Sequence, residues 1–188
     1  MSKKILYIII LALLFLCVFL YFKSPSKDRT PDFKETTSAT STPKIDHKNI
    51  SYTIDDQKVI LINGISQSKP DPTTETSVVT EYFGNEAKGD LNGDGINDVV
   101  FLVRQHGGGT GTFYFVVVAL ANKDSYTGTN AEFIGDRILP QTTEIRNGKV
   151  IVNYADRKPD EPMVARPSVG VTKYFKVNNG LLTPTDPK

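Results

Sequence analysis

The chain has 188 residues, with 22 Lys/Arg against 21 Asp/Glu and a formal net charge of +1, a length that accommodates one ordinary domain with appendages. The near-neutral total conceals a split: residues 1–45 carry seven basic and three acidic side chains, whereas residues 46–188 carry fifteen and eighteen. A mildly acidic body excludes the basic footprint of a nucleic-acid-binding domain, so no nucleic-acid partner is expected.

Residues 5–22, ILYIIILALLFLCVFLYF, are eighteen apolar residues without a charge. As a helix they span ~27 Å, close to the ~30 Å hydrocarbon core of a bilayer. A cleaved secretory signal has a shorter apolar core and ends on small residues, but Tyr21, Phe22 and Lys23 follow here. Cys17 is preceded by Leu14, Phe15 and Leu16 instead of the small residues of a lipobox, so it reads as a membrane-embedded apolar residue. Residues 1–22 are therefore expected to be a transmembrane signal anchor. Lys3 and Lys4 on one side and Lys23, Lys27 and Arg29 on the other nearly balance the positive-inside rule. An N-terminal apolar segment ordinarily directs export, and the single cysteine of the chain lies inside it. The C-terminal part is expected outside the cytoplasmic membrane.

Residues 23–48 are rich in Ser, Thr, Pro and Lys, too poor in apolar groups to offset the entropy of ordering them. They read as a disordered tether, with His47 a solvated spacer residue at its end. The folded part is expected over 49–184. ISYTIDDQKVILING alternates as strands do, with DDQK as a hairpin connection. SKPDPTTET is a loop, and SVVTEYF a strand or short helix. DVVFLVRQ at 98–105 and TFYFVVVALAN at 112–122 are apolar strands separated by the GGGTG turn. AEFIGDRILP follows, and two later stretches carry the hairpin signals Asn147-Gly148 and Asn179-Gly180. No helix-period segment occurs beyond the anchor. The fold class is mainly β, a single antiparallel sheet or sandwich-like domain, with α+β and one short helix as the variant.

The chemistry concentrates in GDLNGDGINDVV, 89–100. Counted from Asp90, oxygen-bearing side chains fall at the first, third, fifth and ninth positions: Asp90, Asn92, Asp94 and Asp98. Gly95 permits a sharp bend, and Ile96 offers its backbone carbonyl. Calcium takes ~6–8 oxygen ligands, and this order wraps a short chain around one ion. The opening fits the helix–loop–helix calcium pattern, but Phe101 stands where that motif needs a bidentate Glu, and the flanks read as strands. Magnesium demands tighter octahedral geometry, and no His or Cys lies nearby for zinc or copper. The alternative is a solvated Asn/Asp/Gly turn without an ion, in which the carboxylates repel one another. The expected cofactor is one structural Ca2+, held by Asp90, Asn92, Asp94, Ile96 and Asp98.

The loop resembles the D-x-[DN]-x-D-G-x-x-D calcium loops between strands of integrin-type (FG-GAP) propeller blades, in which Asp98 would close the site from the start of the next strand. A propeller needs several blades, and this chain has one such loop, so the resemblance implies the loop and not the propeller. Over residues 49–183, through YFGNEAKGDLNGDGINDVVFLV, GGGTGTFYFVVVAL, GDRILPQTTEIRNGKVIVNYADR and EPMVARPSVGVTKYFKV, the chain resembles a family of small extracytoplasmic, lipoprotein-like β domains of bacteria. That resemblance implies a location and domain limits, and no activity.

HGGGTGT lacks the Lys and the following helix of a phosphate loop. His106 has no G-x-S-x-G nucleophile elbow to serve. Asp136, Arg137, Asp156, Arg157, Asp160, Glu161 and Arg166 form either surface ion pairs or, as the rival reading, the polar site of a cell-envelope hydrolase. The favoured reading is a non-enzymatic domain, anchored in the membrane by its N-terminal helix, that binds an unknown envelope protein or glycan.

Overall fold

The computed structural model describes residues 46–69, 73 and 75–188. The expected anchor and nearly all of the expected tether lie outside the described residues. The described residues belong to one compact unit.

Twelve strands occur among the described residues. β1 (Ser51–Ile54) and β2 (Gln57–Ile60) make a hairpin; β3 (Ile65–Ser68), β4 (Val78–Gly89), β5 (Asp98–Gly107), β6 (Phe113–Asn122) and β7 (Ser125–Gly128) follow in one sheet, with β8 (Glu132–Asp136) also pairing β6. β9 (Leu139–Arg146), β10 (Lys149–Asp156), β11 (Val169–Asn178) and β12 (Leu181–Pro184) make a four-stranded sheet in the order β12-β11-β10-β9. Every ladder is antiparallel. The mainly β expectation holds. The short helix of the variant is absent among the described residues, where the one helical piece is a three-residue 3-10 turn, His47–Asn49.

The uninterrupted apolar runs of β5 and β6 have a physical cause. A sheet with one wet face alternates apolar and polar residues; a strand covered on both faces does not. Val100 and Leu102 of β5, with Tyr114, Val116 and Val118 of β6, face a core shared with Val150, Val152, Tyr154, Phe175 and Leu182 of the four-stranded sheet. The intervening Val99, Phe101, Val103, Phe115 and Val117 face a second core, roofed by Tyr52, Ile54 and Val59 of the β1–β2 hairpin. Ring contacts of Phe101 with Tyr52 and Tyr82, at 5.6 and 5.3 Å between centroids, consolidate this second core.

The turns follow their residues. Asn147-Gly148 and Asn179-Gly180 close two-residue hairpins with both residues at positive φ, as type I′ turns require. Asp55-Asp56 does the same inside the expected DDQK connection. Two findings extend the sequence reading. β4 continues through Gly89 instead of ending near Phe83, its register shifting between Tyr82 and Ala87 around the positive-φ residues Gly84 and Asn85. β7 forms in a stretch with no strong strand pattern because it completes a hairpin with β6.

His47 departs from its expected role as a solvated spacer. Its ring packs 5.2 Å from Phe101 and 6.0 Å from Tyr126, and its Nε2 meets Glu86 at 2.5 Å. The Tyr52 hydroxyl donates to the His47 carbonyl at 2.7 Å, so ordered structure begins before Asn49.

Candidate metal loop and its polar surroundings

Residues 90–97 join the end of β4 to the start of β5, and the ladder pairs Gly89 with Asp98 at the mouth of the loop. Leu91 anchors the loop in the core shared by the two sheets. Gly93 and Gly95 have φ of 84° and 82°, a left-handed geometry that side chains resist, and these two bends fold the loop back on itself.

The folded-back amides are collected by the acids. Asp90 accepts from the N–H groups of Gly93 (2.7 Å) and Gly95 (2.9 Å). Asn92 Oδ1 accepts from Asp94 N at 3.0 Å, and Asn92 Nδ2 donates to Asp94 Oδ2 at 2.9 Å. Asp94 Oδ1 accepts from the N–H of half-buried Ile96 at 2.7 Å. The N–H groups of Gly95 and Gly93 hold the Asp90 carboxyl below the usual carboxylate range.

Asp98 is different. It is 0% exposed, and its carboxylate accepts from Leu91 N at 2.9 Å and from Ala121 N, on β6, at 2.8 Å. Burial pushes its carboxyl up; the two N–H groups pull it down, and the charges of Asp94 and Asp90 push it up again. Asp98 is thus a structural acceptor in its own right. Among the described residues no three His, Cys, Asp or Glu side chains converge on one point.

The donor set is nonetheless of the right chemistry for a hard cation. It is all oxygen, and a carboxylate has about four lone-pair sites, so an oxygen bound to one backbone N–H retains acceptor capacity. Asn92 and Asp94 are hydrogen-bonded to each other and Asp90 to the Gly93 and Gly95 amides at the exposed side of the loop, with Asp98 at its buried end.

The late polar residues are brought together only in part. Asp136 pairs with Arg137 at 2.8 Å and accepts from Thr112 N at 2.9 Å. Burial acts upward on this carboxyl, but Arg137, the Thr112 N–H and the charge of Arg157 outweigh it and hold it low. Arg157 donates to the carbonyls of Ala165 and Arg137 at 2.7 and 3.1 Å, tying the 157–168 loop to the end of β8, and Asp156 accepts from the Arg157 N–H. Glu161 accepts from Lys158 N at 3.0 Å within its own loop. These contacts are structural ties. His106 stands 3.1 Å from Glu81, an acid that also accepts from Arg104 Nε at 2.8 Å. Among the described residues no hydroxyl or thiol hydrogen-bonds His106, so the cluster lacks the nucleophile of a triad.

Two polar clusters escape sequence reading: His47 with Glu86, and Glu132 with Lys173. The first leaves no signal in the sequence. The second leaves one, because Lys173 shares the parity of Val171, Phe175 and Val177, all core-facing in β11.

The described residues form a mainly β domain of antiparallel sheets with an acid-rich connection between β4 and β5. No family model, curated protein or solved structure matches it.

Proposed function

We propose that residues 90–98 hold one calcium ion, through the side chains of Asp90, Asn92, Asp94 and Asp98 and the Ile96 carbonyl, and that the ion fixes the β4–β5 connection. The observation that carries the reading is the gathering of Asp90, Asn92 and Asp94 at the outer side of the loop by the left-handed bends at Gly93 and Gly95. When bound, the ion supplies positive charge that offsets the repulsion among the acids. The resemblance to integrin-type calcium loops supports the same choice of metal. An ion that binds only the folded chain stabilises it by RT ln(1 + [L]/Kd), about 2.7 kcal/mol at a hundredfold excess over Kd.

The domain works outside the cytoplasmic membrane, anchored by residues 1–22, and binds or scaffolds an envelope protein or glycan. The apolar segment and the cysteine-free remainder of the chain support this placement. Binding is preferred to hydrolysis because Asp136 is engaged by Arg137 and Thr112 and Asp156 by the Arg157 N–H. The test of the metal is thermal unfolding of the full-length protein in millimolar calcium and in chelator. Calcium raises the midpoint of the natural protein and leaves that of Asp94→Ala nearly unmoved. Identical midpoints with and without calcium defeat the proposal.

A further inference from the structure

The outward face of β2 and of the start of β3 is apolar where water should meet it. Val59 and Leu61 fill the core under the β1–β2 hairpin, so the alternating residues Lys58, Ile60 and Ile62 point away from that core. Across the two-residue Asn63-Gly64 turn, Ile62 N donates to Ile65 O at 2.9 Å and Ile65 N to Ile62 O at 3.2 Å. Residues directly opposite in such a pair share a face, so Ile60, Ile62 and Ile65 stand together. They are 53%, 68% and 54% exposed. One exposed isoleucine is ordinary, whereas three on one face make a patch of the kind that marks an interaction surface.

The charges around the patch leave it open to an anionic partner. Glu81 stands opposite Ile65 in the β3–β4 ladder, and it already accepts from Arg104 at 2.8 Å. Lys58 is exposed on the isoleucine face. Asp55 and Asp56 occupy the turn at the other end of the β1–β2 hairpin.

The place of the patch identifies the partner. The Asn63-Gly64 turn is bound to the segment by which the chain enters the domain: Gly64 N donates to Lys48 O at 2.9 Å, and Asn63 N to Asn49 Oδ1 at 2.6 Å. Residues 23–45 connect that segment to the apolar stretch 5–22. Fully extended at ~3.5 Å per residue they reach ~80 Å at most. A chain anchored through 5–22 therefore keeps this entry segment within that distance of a bilayer, and the tether supplies a high effective concentration for a weak surface contact. Isoleucine side chains carry no hydrogen-bonding group to desolvate and bury readily at the boundary of headgroups and acyl chains, while a lysine beside them reaches an anionic headgroup.

We propose that Ile60, Ile62 and Ile65, flanked by Lys58, dock the domain on the anionic surface of the bilayer in which the chain is anchored. The inference rests on the reading of residues 1–22 as a membrane anchor and does not depend on the calcium reading.

The experiment uses the full-length Cys17→Ser protein in equimolar phosphatidylcholine–phosphatidylglycerol vesicles. An NBD fluorophore is placed at Ile62→Cys or, as the control, at Leu181→Cys, an apolar position on β12 that is 55% exposed. The label at 62 is shifted to the blue and quenched by lipids spin-labelled near the headgroup; the label at 181 is not. Replacing phosphatidylglycerol by phosphatidylcholine weakens the quenching with the protein unaltered. The pair Ile60→Ser and Ile65→Ser, both outside the cores, abolishes it. Lys58→Gln lowers the ratio of docked to free domain roughly fivefold, the weight of one lysine near an anionic surface. A label at 62 as open to water as that at 181, or quenching that survives the two serine substitutions, overturns the proposal. Shielding at 62 that rises with the protein-to-lipid ratio without lipid quenching identifies a second copy as the occupant and also overturns it. Vesicle flotation separates the two readings: protein that does not float refutes anchor and docking together, whereas protein that floats with the label at 62 in water refutes the docking alone.

Discussion

Asp98→Ala is the substitution whose cost the structure specifies best. The carboxylate is 0% exposed and accepts from two backbone N–H groups, Leu91 at 2.9 Å and Ala121 at 2.8 Å. Alanine orphans both. A buried donor left without a partner costs ~1–3 kcal/mol, so the pair costs about 2–6 kcal/mol. Removing a carboxylate that burial already disfavours offsets part of this and places the expectation in the lower half of the range. The assay is urea unfolding of the full-length protein in chelator throughout, so that no metal contributes. With a slope of ~1–3 kcal/mol per molar urea, the midpoint falls by about 1–3 M. Asp98→Asn keeps one acceptor, turns an amide N–H toward the other donor, and falls between. Asp90→Ala also loses two hydrogen bonds, but its donors, Gly93 and Gly95, are exposed and water replaces the carboxylate; its midpoint falls less. An unchanged midpoint for Asp98→Ala, or a larger fall for Asp90→Ala, refutes the reasoning.

Three further outcomes are expected. The hydrogen bond from Arg104 holds Glu81 below its ordinary 4.5 although burial acts upward; the pair therefore adds stability in full above that value, and the gain is lost as pH falls below it. Glu81→Gln then has a flatter acid limb, read as a smaller drop in urea midpoint between about pH 6 and about pH 3, and an unchanged limb sinks the assignment. Asn130 clamps β12 through both polar atoms of its side chain, donating to Leu182 O at 2.9 Å and accepting from Leu182 N at 2.8 Å. Asn130→Ala costs about 1–3 kcal/mol and speeds hydrogen exchange at Leu182; unaltered exchange there denies the clamp. Calcium removal speeds exchange at Asp94 and Ile96 while Phe101 stays protected, and equal acceleration at all three places the ion's influence elsewhere.

Much of the fold is legible in the sequence because local chemistry determines it. Asn-Gly pairs tolerate the left-handed φ of a two-residue hairpin, so the β9–β10 and β11–β12 turns are visible from four residues. The runs at 98–105 and 112–122 announce buried strands. What covers them is not visible: the β1–β2 hairpin on one face and the four-stranded sheet on the other are contacts between distant segments. The bulge at Gly84-Asn85 hides the second half of β4, since a register shift breaks the alternation by which strands are recognised. His47 is an isolated residue at the end of a polar segment, and only the aromatic cluster around Phe101 gives it a place.

Asp98 shows why a motif read from sequence is incomplete. By spacing it is the last ligand of the loop. Its surroundings come from β6, where the Ala121 N–H lies two residues beyond Ala119, the last residue of β6 in the ladder with β5. A side-chain oxygen there does what a carbonyl of β5 would do had the ladder run on. The same carboxylate, through Leu91 N, holds the loop's first turn against the core. The inner end of the loop is therefore anchored by protein groups with or without an ion, and Asp98 keeps lone pairs beyond those two N–H bonds. Under the calcium proposal an ion would act chiefly on the turn between the two glycines, since the β5–β6 ladder is already secured by Asp98 and by burial on both faces. Asp98 thus serves the connection with or without an ion, and because the Asp98→Ala assay is run in chelator, the metal proposal and the Asp98→Ala prediction stand or fall by separate measurements.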